Sequence, residues 1–160
     1  MKILDWIEEG ICAVCMLVMT GLTFANVVSR HVLGMSFSFS EEITTYLFVL
    51  LSLMGTAIAA KRRTHLGLSV LTDAVNPAAR KILLLIGYGI AVVFAAAIFW
   101  FGILMVKNQI MLGQKTAAMQ WPEWIYGSFV PFGSLFVIIR FAQAFLEELR
   151  SKRQKGDLVV

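Results

Sequence analysis

The chain has 160 residues, of which 59% are hydrophobic and 15% charged, with a formal net charge of +4. A soluble domain carries about 25% charge and about 45–50% apolar residues, and the mean hydropathy here is +0.79. This excludes a disordered chain and a secreted disulfide scaffold, and it leaves too little chain outside the lipid for a soluble catalytic domain.

A helix crossing the hydrocarbon needs about 20 mostly apolar residues. Charge-free runs at residues 10–29, 43–60 and 82–106 meet that need. The fourth run starts at Trp124 and stops short at Ile139. It completes a crossing at about residues 124–146 if Arg140 snorkels to the headgroups and the helix continues. Four spans read as an all-α membrane protein, because barrel strands alternate in polarity and are about 10 residues long.

Basic residues set the direction of insertion. With four spans, one side collects Lys2, Lys61, Arg62, Arg63, Arg80, Lys81, Arg140, Arg150, Lys152, Arg153 and Lys155, eleven in all. The other side holds only Arg30, Lys107 and Lys115. Both termini are therefore expected in the cytoplasm, and the basic tail at 150–160 is expected to be mobile. Topology accounts for the positive charge, so no nucleic-acid partner is expected. Glu8 and Glu9 precede the first apolar run where a signal peptide is basic, so that run reads as a retained helix.

In the first outer loop, Ser40 has the character of an N-cap, with Glu41 and Glu42 in the first turn complementing the helix dipole. A pair between Arg30 and one of these carboxylates would tie the hairpin together. In the basic loop, Leu68, Leu71 and Val75 share one helical face, as in a short helix lying in the interface. Asn76 and Pro77 read as cap and first position of the third helix. The second outer connection ends in Trp121-Pro122-Glu123-Trp124, where tryptophans suit the headgroup level and Pro122 suits a first helical turn.

Residues that could carry chemistry are few. Cys12 and Cys15 lie inside the first span, and a metal site needs about four ligands. They read as small packing residues. His31 and His65 fall on opposite sides of the membrane, which excludes a bis-histidine haem. The charge-free runs hold no ionisable group, the usual sign of an ion pathway. Asn26, Thr44, Thr45, Ser52 and Thr56 are the notable polar residues of the first two spans, and such groups more often bond between helices. Gly55/Ala59, Thr56/Ala60 and Ala91/Ala95 have the four-residue spacing that lets helices approach closely. That spacing serves packing within the chain or docking of another subunit equally well. The profile favours an accessory subunit over an enzyme.

Several segments, in order, resemble one family. These are Asn26-Val27-Val28-Ser29-Arg30, Ser40-Glu41-Glu42, Gly55-Thr56-Ala57, Arg63-Thr64-His65-Leu66, Thr116-Ala117-Ala118, Trp121-Pro122-Glu123-Trp124, Val130-Pro131-Phe132-Gly133, and Arg140 closing the fourth helix. Together they span most of the chain, and the whole resembles the small DctQ-type membrane subunit of tripartite ATP-independent periplasmic (TRAP) transporters. The resemblance implies a non-catalytic scaffold that packs on and anchors a large, elevator-type membrane subunit. That subunit would carry the Na+ and substrate sites, and a periplasmic binding protein would deliver organic acid anions. No cofactor is expected on this chain. The resemblance makes Asn26, Arg30, Glu41, Glu42, His65, Trp121, Pro122, Pro131, Gly133 and Arg140 candidates for structural or subunit-contact roles. The alternatives are a stand-alone small exporter and the membrane anchor of a redox enzyme.

Overall fold

The computed structural model describes residues 2–62 and 77–156. Four of its helices are long and apolar enough to cross a membrane, over Asp5–Val32, Ser38–Lys61, Arg80–Met111 and Glu123–Leu149. The elements are α1 (Lys2–Val32), α2 (Ser38–Arg62), α3 (Pro77–Met111), a short α4 (Glu123–Gly127) and α5 (Phe129–Gly156). Among the described residues, an isolated bridge between Lys115 and Pro122 is the only extended pairing. The amphipathic segment around Leu68 to Val75, Asn76, and the candidate His65 lie outside the described residues.

The long helices form a row rather than a closed square. α1 packs on α2, α2 on α5, and α5 on α3, with α4 braced against α3. α1 and α3, at the two edges, make no extensive contact. Only 6% of the most apolar stretch of the first span is buried within the chain, against 33% for the last. One core joins Ala57 and Ala60 of α2, Tyr88 and Ala95 of α3, and Val137, Phe141 and Ala144 of α5. A second sets Cys15 of α1 against Leu50 and Met54 of α2. Both cysteines are free, and Cys15 acts as a buried small residue.

Small residues set the approach of α5 to its neighbours. A Cβ placed on Gly133 would lie 2.7 Å from Cβ of Leu53, so α2 and α5 can meet only with glycine there. Of the four-spaced small residues, Ala60 and Ala95 are core residues, whereas Gly55 faces open space. Between α2, α3 and α5 an apolar groove of about 220 Å³ remains, lined by Leu53, Thr56, Ala91, Ala95 and Val137 among others.

The fourth span is not one continuous helix. α4 ends at Gly127 and α5 begins at Phe129. Pro131 causes the break, since it has no N–H to offer the Gly127 carbonyl and its ring crowds that oxygen. Phe132 resumes the ladder by donating its N–H to the Ser128 carbonyl at 3.1 Å. At its other end α5 runs on helically to Gly156, into the stretch read from sequence as tail.

Candidate functional site

Polar side chains gather at the two ends of the row. At the end where α1 begins, Arg140 of α5 is only 2% exposed and Glu8 of α1 only 1%. The guanidinium grips Glu8 with two nitrogens: Nε donates to Oε1 at 2.8 Å and Nη2 to Oε2 at 2.8 Å. Nη2 also donates to Oδ1 of Asp5 at 2.5 Å, and Nη1 to Oε1 of Gln143 at 3.3 Å. The other carboxylate oxygen of Asp5 takes Lys61 Nζ, from the end of α2, at 2.6 Å. One cluster thus joins three helices and balances two carboxylates with two cations.

This overturns the snorkelling expectation for Arg140. Its side chain turns inward because a carboxylate pair waits across the seam, and a forked guanidinium satisfies both at once. Sequence reading used Glu8 only as an argument about a signal peptide and missed its partner. A signal was present in the spacing. Glu8, Cys15, Leu22 and Ser29 recur every seven residues, and the first, second and fourth are the buried positions of α1. That is the seam of a helix wrapped on a neighbour.

At the opposite end the ties are hydrogen bonds to main chain. Asn26 Oδ1 accepts the Phe37 N–H at 2.8 Å, and Ser29 Oγ donates to the Met35 carbonyl at 3.0 Å, folding the turn between α1 and α2. Ser40 is not the cap of α2, which starts two residues earlier. Its buried hydroxyl donates to the Leu22 carbonyl of α1 at 3.1 Å. Glu42 accepts the Ala118 N–H at 2.7 Å, clamping the loop between α3 and α4 onto α2. Among the described residues, Arg30 forms no ion pair with Glu41 or Glu42; Glu42 serves the loop instead. Arg30 and Glu41 are both exposed.

That loop is built around Thr116, which is buried. Its N–H donates to the Trp121 carbonyl at 2.8 Å, and its hydroxyl accepts the Trp121 N–H at 3.2 Å. Gln120 adopts a left-handed φ of 56°, held by its own N–H and amide to the carbonyls of Thr116 and Ala117. Pro122 sits just before α4 in extended conformation rather than in its first turn, paired with Lys115. Trp121 and Trp124 are exposed, as headgroup anchors require. Below them Tyr126 stacks on Tyr46 of α2, centroids 4.4 Å apart, and Gln109 of α3 packs directly on Gly127. Sequence reading named Thr116 only within the Thr116-Ala117-Ala118 segment, and it missed Gln109 and this stack. The α1–α2 turn with the start of α2, and the loop between α3 and α4, flank an open cleft of about 520 Å³ lined by residues 36–39, Ala117 and Ala118.

A row of four apolar helices, with a buried ion cluster at one end and main-chain clamps at the other, defines a multi-pass helical membrane protein. The sequence profile described as Tripartite ATP-independent periplasmic transporters, DctQ component, matches residues 19–151, and the chain belongs to that family. It is similar to the ectoine TRAP transporter small permease protein TeaB of Halomonas elongata, 25% identical over 146 residues, covering 91% of this chain and 76% of the relative. It is also similar to the C4-dicarboxylate TRAP transporter small permease protein DctQ of Vibrio cholerae, 33% identical over 91 residues, 57% of this chain and 39% of the relative. A third likeness is to the sialic acid TRAP transporter permease protein SiaT of Haemophilus influenzae, 27% identical over 81 residues, 51% of this chain but 13% of the relative. The protein is thus a TRAP small permease subunit of the bacterial inner membrane and not an enzyme.

Proposed function

We propose that this chain is the fixed scaffold of a Na+-coupled TRAP importer. It packs on and anchors the large membrane subunit as a heterodimer, with both termini in the cytoplasm. The large subunit holds the Na+ and substrate sites, and a periplasmic binding protein delivers an organic acid anion. The observation that carries this reading is the open row. Its edge helices α1 and α3 bury little of their surface within the chain, so both flanks are available to lipid or to another membrane subunit. The relative SiaT supports the partner, since there the matching segment is a small part of a much longer permease. The outer loops, with Arg30, Glu41 and the Glu42 clamp, would form the face turned to the binding protein.

Purification in gentle detergent through a tag on the basic tail tests the reading. A large membrane protein recovered in one-to-one ratio is the expected result. A chain that purifies alone and transports a solute by itself would overturn it in favour of an exporter.

A further inference from the structure

We propose that α1 is held in the row by its buried charges rather than by packing, so that Asp5 and Glu8 with Arg140 form a lock closing the edge of the scaffold. The seam of α1 is poor in large apolar groups. Its inward positions are Asp5, Glu8, Ile11, Cys12, Cys15, Met19, Leu22, Asn26 and Ser29, and Ile11, Met19 and Leu22 among them are large and apolar. In lipid no hydrophobic force drives helices together, so association rests on dispersion contacts and polar ties.

The two ends of this seam are secured differently. At the outer end a five-residue turn joins α1 directly to α2, and Asn26 and Ser29 bond within that turn. At the inner end the tie reaches across 132 residues of sequence, from Glu8 to Arg140. Neither group has a substitute partner nearby in its own helix. Lys2 is the only cation of α1 before Arg30, and Gln143 offers Arg140 a neutral oxygen. Glu8 therefore reaches its buried position only when α5 brings Arg140 to the same depth. Asp5 adds α2 to the lock by dividing its oxygens between Arg140 and Lys61. In this arrangement α1 is fixed in the row only once α5 is in place.

The test reads the position of α1 in the full chain. Spin labels go on W6C of α1 and L149C of α5, both exposed, with Cys12 and Cys15 replaced by alanine, and pulsed electron–electron resonance reports the distance between them. The parent should give one narrow distribution. The decisive variant is E8Q/R140Q, which leaves no buried ion unpaired and two amides able to bond each other. If charge holds α1, its distribution broadens at least twofold. If the double variant keeps the narrow distribution, packing holds α1 and the proposal fails, even should E8Q alone broaden it. D5N/E8Q, which removes both carboxylates but strands Arg140, is read in one direction only: an unchanged distribution overturns the lock.

Discussion

At the end of the row where α1 begins, the inner end in the proposed topology, two carboxylates of α1 converge on the buried Arg140 of α5, and Lys61 of α2 joins them through Asp5. At the opposite, outer end, Asn26, Ser29 and Ser40 tie α1 to α2 and their turn, and Glu42 ties α2 to the loop after α3, each through a main-chain group. The first arrangement links side chains far apart in sequence, and neither of its buried members, Glu8 and Arg140, can lose the other without leaving a buried charge unpaired. The second mainly orders loops, which can fray without moving the helices. The inner end therefore governs whether the row assembles, and the outer end governs the shape of the face presented outside the membrane.

The contrast predicts a graded set of mutational effects. Arg140→Ala should be the most damaging, by about 3–5 kcal/mol, because it leaves Glu8 buried without a counter-charge. Melting in mild detergent measures it, and a loss no larger than that of an outer-end variant would break the contrast. Next comes Gly133→Ala in mid-row, costing about 1–3 kcal/mol through the clash with Leu53. Adding Leu53→Ala should return part of that loss, since the two positions are in contact. Strict additivity in the double variant would show that the approach of α2 to α5 is not what Gly133 protects.

How much of this was legible in the sequence follows from the length scale of each signal. The four spans and the start of α3 at Pro77 are local properties of composition and proline chemistry, and the helices lie where those place them. The break before α5 was equally local, because Pro131 cannot bond to Gly127, yet the apolar run hid it. The charge cluster was not local. Glu8 and Arg140 each looked like a boundary residue, and only three-dimensional proximity makes them a pair. Ser40 misled for a related reason: its acidic neighbours fit a capping pattern, while its hydroxyl was needed by α1. Glu42 was singled out with Arg30 as its possible partner, whereas it takes the Ala118 amide, which nothing in sequence places beside it.

The outer end should respond more weakly and more locally. Glu42→Ala removes the acceptor of the Ala118 N–H, a solvent-exposed bond worth about 1 kcal/mol once screened by water. Its signature should be faster amide exchange over residues 114–122, with exchange in α5 unchanged. Asn26→Ala should cost about 1 kcal/mol, the net value of a neutral hydrogen bond, and release the Phe37 amide. If either variant loosened the helices themselves, the outer ties would be part of the assembly and the division between the two ends would not hold.

The smallest effect sharpens the contrast from within the charged end. Lys61 pairs with Asp5 at 2.6 Å, shorter than most contacts in the cluster, yet its side chain is 44% exposed. Water and salt compete for such an ion pair, and its short distance is no measure of its strength. Lys61→Gln should leave the melting temperature within experimental error at physiological salt, with any difference from the parent fading as salt is raised. Arg140→Ala should stay equally destabilised across that range, because the Arg140–Glu8 contact is closed to counterions. A salt-independent loss in the Lys61 variant would mean that the whole cluster, exposed edge included, acts as one buried unit. The boundary between lock and surface would then lie one residue further out than the burial of Arg140 and Glu8 implies.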